Sequence, residues 1–117
     1  MKDDCIFCKI ANGIIPSNTK AANDLAVLIV AKDPMAPHHV LVIPTKHYDS
    51  LEELGGLDWA DTLDAMFSLV KNYAAYNGLV KTGYRLVINT GLDAGQTVKH
   101  LHMHLLGGAY LKNDFGA

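Results

Sequence analysis

"GQTVKHLHMHLLGG", residues 95–108, decides how this chain is read. His100, His102 and His104 alternate with Leu101, Met103 and Leu105. Residues two apart share a face of a strand, so the spacing predicts a strand over 100–107 with three imidazoles on one side and three apolar side chains on the other. As decoration the pattern is expensive, because histidine has only ordinary strand preference and stacked imidazoles repel once they charge near neutral pH. Two kinds of chemistry would use it. Neutral imidazoles are common ligands of zinc and other transition metals. Alternatively, one ring attacks an electrophile while its neighbours hold its tautomer and meet the developing charge. The preceding "GLDAGQT", 91–97, favours the second. Gly91 and Gly95 let backbone amides, those of Gln96 and Thr97 included, approach a phosphate closely, and Asn89 and the Thr97 hydroxyl add neutral donors.

Outward from that stretch the elements follow from periodicity. "GYRLVIN", 83–89, is a strand. A long helix precedes it, with Asp58 as its N-cap, Leu63, Met66, Phe67, Val70, Tyr73 and Ala74 on one face, and Asn77-Gly78 as its end. "HVLVIP" gives a strand over 39–43 closed by Pro44, and "TKHYDS" is a turn that puts His47 just past it. "KDPMAPHH" breaks the pattern with two prolines, leaving His38 in a loop without a role. "DLAVLIVA", 24–31, is a strand buried on both faces, entered by a turn at 22–24. "IIPSNTK" is a loop leading into extended structure, and "CIFCKIANG" is a short helix ended by Gly13. Strands with hairpin-sized connections around one long helix predict an antiparallel sheet packed on helices, an α+β layout in a single domain spanning 1–117. Trp59, Phe67 and Tyr73 are core or interface aromatics, and Lys99 points away from the histidine face.

Composition narrows the chemistry. With 117 residues, half of them apolar, the chain is long enough for a core without staples. A formal net charge of -2 offers no footprint for nucleic acid, so a bound anion has to be held by local groups. The longest apolar run, "LAVLIVA", is far too short for a membrane span, and "MKDDCIFCKI" is acidic where a secretory leader would be basic and then apolar, so the expected compartment is the cytoplasm. There, Cys5-x-x-Cys8 points to metal or redox work rather than a structural disulfide.

"HLHMHLL" fits His-x-His-x-His followed by two apolar residues, and the chain resembles the histidine triad (HIT) superfamily at this point. "GYRLVINTGLDAGQTVKHLHMHLLGG" is similar to its Hint branch of nucleoside phosphoramidases, and "CIFCKI" and "APHHVLVIPTKH" resemble two further family blocks in order. The resemblance implies five antiparallel strands with two helices, in a homodimer whose sheets join. It implies hydrolysis of the P–N bond of purine nucleoside 5'-phosphoramidates, with an AMP-like ligand. In that scheme His102 is the nucleophile that carries the nucleotidyl group, with His104, His100 and His39 in the catalytic cluster. Asn89, Gly95, Gln96 and Thr97 match the positions around phosphates and ribose, and no catalytic metal is required. A side chain as nucleophile needs one lone pair free, so the far nitrogen of His102 is expected to donate to a backbone carbonyl nearby. Losing one preorganised donor to the phosphoryl oxygens would cost about 3 kcal/mol.

The resemblance also implies a second site. Some HIT proteins complete a Cys-x-x-Cys pair with a histidine after the "VIP" strand and the first histidine of the triad, here His47 and His100. Four such ligands leave no open position, so a zinc held by Cys5, Cys8, His47 and His100 would be structural. The chain departs from the family where an Asp binds the ribose: Ala31 stands there, and Asp33 is the candidate to replace it. The tail "AYLKNDFGA" does not match the family's usual ending. Rival readings are a dinucleoside polyphosphate hydrolase or nucleotidyl transferase, disfavoured by His104 where those branches often carry Gln, a nucleotide-binding regulatory module, and a metal hydrolase with its ion on His102 or His104.

Overall fold

The computed structural model describes Lys2 and residues 4–112, so the last five residues of the tail lie outside it. Five strands form one antiparallel sheet: β1 Thr19–Ala22, β2 Ala26–Val30, β3 His38–Pro44, β4 Tyr84–Val87 and β5 Met103–Gly107, in the spatial order β1-β2-β3-β5-β4. β2 is buried on both faces, as its unbroken apolar run requires. Ala26 and Leu28 join Val40, Val42, Leu101, Met103 and Leu105 beneath the long helix α2, Trp59–Tyr76. Val27, Ile29 and Ile43 pack on the other side against Phe7, Ile10 and Ala11 of the short helix α1, Ile6–Ala11. Burying each of the fully enclosed Leu and Met side chains stabilises the fold by about 1.5–3 kcal/mol.

Helices α1 and α2 are the expected pair, and a single turn α3, Leu79–Thr82, follows α2. Cys5 caps α1, its Sγ accepting from the Cys8 N–H at 3.1 Å. The turn before β2 is closed by Asn23, whose Oδ1 accepts from the N–H groups of Leu25 and Ala26. α2 ends at Asn77, with Gly78 in the left-handed conformation a glycine adopts freely.

Several expectations are corrected. The segment around Thr19–Ala22 is an edge strand, not a loop; its side chains are mostly exposed, so it carries no hydrophobic alternation to detect. The strand over 83–89 is only Tyr84–Val87. Asp58 does not cap α2 with its side chain: a 3-10 turn, Gly56–Asp58, runs into the helix, and the carboxylate accepts from Lys46 Nζ at 2.6 Å and the Tyr48 hydroxyl at 2.9 Å. The buried stripe of α2 runs through Thr62, Ala65, Met66, Leu69, Val70 and Ala74, which turns Phe67 and Trp59 outward. His38 is the first residue of β3 and pairs through Nδ1 with the Tyr73 hydroxyl at 2.8 Å. Most important for the site, β5 starts at Met103, so His100 and His102 precede the strand.

Candidate functional site

β3 and β5 pair with Leu41 opposite His104 and His39 opposite Leu106, which puts His39 and His104 diagonally on the face of the sheet away from α2. Val87 and Arg85 of β4 extend that face. A cavity of about 490 Å³ opens there, walled by His39, His104, Asn89, Arg85, Val87 and Leu106, with Met35–Pro37 and residues 109–112 closing its rim. Among the described residues its charged wall side chains are Arg85, whose Nη2 donates to the Leu111 carbonyl at 3.4 Å, and Lys112.

Hydrogen bonds fix the protonation of each imidazole. The Met35 N–H donates to His39 Nδ1 at 3.0 Å, so that nitrogen holds a lone pair and the His39 proton is on Nε2. His39 Nε2–H then donates to His104 Nδ1 at 2.9 Å, which leaves the proton of His104 on Nε2. His102 Nδ1 lies 2.8 Å from the His100 carbonyl, which can only accept, so this nitrogen carries the proton and Nε2 bears the lone pair. That carbonyl lies in the same segment, where the sequence placed it. His100 Nε2–H donates to the Pro44 carbonyl at 2.9 Å, turning Nδ1 toward the cysteines. Among the described residues, His102 Nε2 is thus the ring nitrogen of the trio whose lone pair no protein group engages.

Burial favours the neutral form of His39 and His104. Desolvation pulls His104 down from the ordinary 6.5 to about 4, with the neighbouring His102 and His39 acting in the same direction. His39 is lowered by burial alone. The His102 ring is 8% exposed and stands beside the cavity rather than on its wall, its centroid 5.2 Å from that of His104 and 5.1 Å from that of Phe7.

The glycine loop is tied to itself. Gly95 N–H donates to the Leu92 carbonyl and Gln96 N–H to the Gly91 carbonyl. The Gln96 side chain accepts from the Gly91 N–H at 2.9 Å and donates to the carbonyls of Asp49 and Val98 at 2.7 and 3.0 Å. Gln96 therefore braces the loop. Thr97 is exposed and lines a second cleft with Lys2, His47, Asp49 and Lys99, and Asn89 faces the first cavity. Asp33 is exposed in the β2–β3 connection and is not part of the cavity wall.

Cys5, Cys8, His47 and His100 converge so that their ligand atoms all lie within 4.8 Å of one another. Cys5 Sγ and Cys8 Sγ are 3.2 and 3.4 Å from His100 Nδ1, and Cys8 Sγ is 3.2 Å from His47 Nδ1. Tetrahedral zinc with ordinary bond lengths needs S···N edges of about 3.6 Å, so the four residues form a cluster able to bind zinc with small adjustments. Each histidine offers Nδ1 and donates Nε2–H to an acceptor: the Pro44 carbonyl for His100, and Asp49 Oδ1 at 2.6 Å for His47. Burial raises the Cys5 thiol above its ordinary value, and the hydrogen bond to His47 holds Asp49 below its own. His100, wholly buried, is pushed down to about 4 by desolvation, against the Pro44 carbonyl.

Three residues escaped the reading of the sequence, Arg85 on the cavity wall among them. Asp49, two residues after His47, is the second acceptor of that His-x-Asp pair, a spacing that could have marked it. Phe7, between the two cysteines, sets its ring edge-on to those of His100 and His102. No helix among the described residues is long and apolar enough to cross a membrane.

Comparison with known proteins gives the chain a family. The HIT domain family matches residues 12–110. The chain is 35% identical over 108 residues to the purine nucleoside phosphoramidase of Escherichia coli K12, covering 92% of this chain and 90% of that protein. A histidine triad protein from Clostridium difficile superimposes with a TM-score of 0.92 at 42% identity, over 97% of this chain and 98% of the other. A zinc-bound histidine triad family protein from Mycobacterium smegmatis gives 0.74 at 30% identity, over 88% and 73%.

Proposed function

The chain belongs to the HIT domain family, and from that premise we propose that it hydrolyses purine nucleoside 5'-phosphoramidates through a nucleotidyl group carried on His102. One observation carries the reading: the hydrogen-bond chain leaves His102 Nε2 as the uncommitted lone pair of the trio. That nitrogen attacks the α-phosphorus as the P–N bond breaks. The amine departs with a proton drawn from solvent, and water then splits the P–N bond to His102, releasing the nucleoside monophosphate and restoring the ring. His104, neutral and protonated on Nε2, donates a hydrogen bond to the phosphoryl oxygens. His39 is a positioning residue that holds that tautomer. Asn89 and Arg85 supply further donors from the cavity wall, Gly95 and Gln96 shape the loop, and Thr97, on the neighbouring cleft, and Asp33, the candidate for the ribose hydroxyls, join the site if their loops close over the nucleotide. The E. coli relative's name supports the substrate class.

Zinc belongs to the other cluster. Cys5, Cys8, His47 and His100 would hold it as a closed, structural site. Homodimerisation is part of the same proposal: β4 is an edge strand with half-buried side chains, and pairing it with its copy would cover its open backbone groups. Paired thiols serving as ligands suit the reducing cytoplasm.

Brief mixing with adenosine 5'-phosphoramidate, followed by intact-mass and peptide mass spectrometry, tests the chemistry. Wild type should carry an adenylyl group on His102, and His102→Ala should carry none. An adduct on another residue, or turnover by His102→Ala at the wild-type rate, ends the reading. Tight AMP binding without turnover would make the chain a binding module.

A further inference from the structure

We propose that the Cys5–Cys8–His47–His100 cluster is a positioning device for His102, acting through the His100 carbonyl and the Phe7 ring; this rests on His102 being the nucleophile. The reason lies in where β5 begins. His100 and His102 precede the strand, so no sheet ladder fixes them. His100 is instead held by its side chain: Nε2–H on the Pro44 carbonyl, and Nδ1 turned to the two sulfurs. The carbonyl of this same residue accepts the Nδ1–H of His102 and so selects which nitrogen of His102 keeps its lone pair. The ring of His100 and the tautomer of His102 are therefore two ends of one residue's geometry.

A second connection runs through α1. At six residues this helix is too short to be stable alone. It is fastened by Cys5 and Cys8 to His100 and His47. Phe7 sits between those cysteines, with its ring edge-on to His102 at 5.1 Å and to His100 at 6.0 Å. Releasing the cysteines frees the helix that carries this wall of the His102 pocket. His102 would then rotate away from the His100 carbonyl, and its lone pair would no longer point at phosphorus.

The test compares zinc-loaded wild type with wild type stripped by a chelator and with Cys8→Ala, His47→Ala and Phe7→Leu. Zinc content is measured by atomic emission and folding by circular dichroism. The His102 ring is followed by side-chain ¹⁵N NMR, which distinguishes a protonated from a bare nitrogen. Expected is a single Nδ1–H tautomer in the loaded protein, and tautomer averaging in stripped wild type, Cys8→Ala and His47→Ala. Adduct formation in those three should slow by about 10- to 100-fold, the cost of a misplaced reacting group, while AMP affinity is unchanged. Phe7→Leu should keep its zinc and still show a displaced His102 resonance. A folded, zinc-free protein whose His102 keeps its tautomer and its rate of adduct formation overturns the proposal. If the loaded wild type forms no adduct, the nucleophile assignment falls, but the NMR response to metal removal still decides the coupling. Should stripping unfold the chain, reconstitution with the larger Cd²⁺ replaces it: shifted His102 ring resonances support the coupling, and unshifted ones overturn it.

Discussion

Replacing His104 by Gln should flatten the dependence of stability on pH in a window set by burial. In the folded chain the His104 ring titrates at about 4, against 6.5 in the unfolded chain. Charging it also requires a proton on Nδ1, where the His39 Nε2–H already sits. Between those two values the unfolded state binds the proton and the folded state does not, so stability rises with pH there. The contribution is therefore complete above about pH 7, is lost progressively as pH falls from 6.5 toward 4, and is constant below. Integrating between pH 7 and pH 5 gives a loss of about 2 kcal/mol for this one group. Urea unfolding of wild type and His104→Gln at both pH values measures it directly. Contributions from the cysteine–histidine cluster are common to both proteins and cancel in the difference; that of His39, which donates to His104, changes with the substitution and is read from the His39→Phe variant. Wild type should lose about 2 kcal/mol more than the variant on acidification. Equal losses would mean that His104 titrates normally, and the neutral, Nε2-protonated donor would have to be abandoned.

Other perturbations separate the structural relations one at a time. His39→Phe keeps a ring of similar size but strands the Met35 N–H and His104 Nδ1, costing about 1–3 kcal/mol in urea unfolding and releasing the His104 tautomer; a neutral substitution would show that the two rings are not coupled. Asp49→Asn removes the carboxylate that orients His47, so zinc affinity measured by competition with a chromogenic chelator should fall about 10- to 100-fold, and an unchanged affinity would remove Asp49 from the site. Gly108→Ala meets Pro37 Cβ at 2.9 Å with φ at +91°, whereas Gly95→Ala has φ at +79° and open space around it. Thermal unfolding should therefore show Gly108→Ala as the more destabilised, by at least about 1 kcal/mol, and the reverse order would contradict the described β5 exit.

How much of this was legible in the sequence varied with how strongly side chains are sorted between water and core. β2 and β3 were legible because Val27, Leu28, Ile29, Val42 and Ile43 are buried whichever way they point. β1 was not, because an edge strand with mostly exposed side chains has nothing to sort. The stripe of α2 was legible at Met66, Val70 and Ala74 but misplaced at Phe67, whose size suggested burial while the helix turned it outward. Alternation at 100–105 correctly sent Leu101, Met103 and Leu105 to the core. It did not reveal that the ladder begins only at Met103, because an extended segment alternates whether or not a neighbour pairs with it. The ligand set at Cys5, Cys8, His47 and His100 came from family likeness, and spacing alone would have stopped at the two cysteines.

What stayed illegible is what distinguishes three chemically identical rings. His100, His102 and His104 differ in tautomer because of a carbonyl on Pro44, a carbonyl on His100 and, through His39, an N–H on Met35. Those groups belong to the backbone: every residue supplies the carbonyl, and every residue but proline the N–H. No side-chain identity at Met35 or Pro44 announces them, and truncating the Met35 side chain leaves its N–H in place. The tautomer pattern is therefore a property of chain path: of the β2–β3 connection that brings Met35 to His39, and of the approach to β5, held outside the sheet by the Leu101 N–H on the Tyr48 carbonyl, that lets His102 reach back two residues. A sequence can say that three imidazoles share a face. Which of them has an unengaged lone pair is settled by where the backbone runs, and that is why the proposal of His102 as nucleophile leans on the family likeness and the hydrogen bonds together.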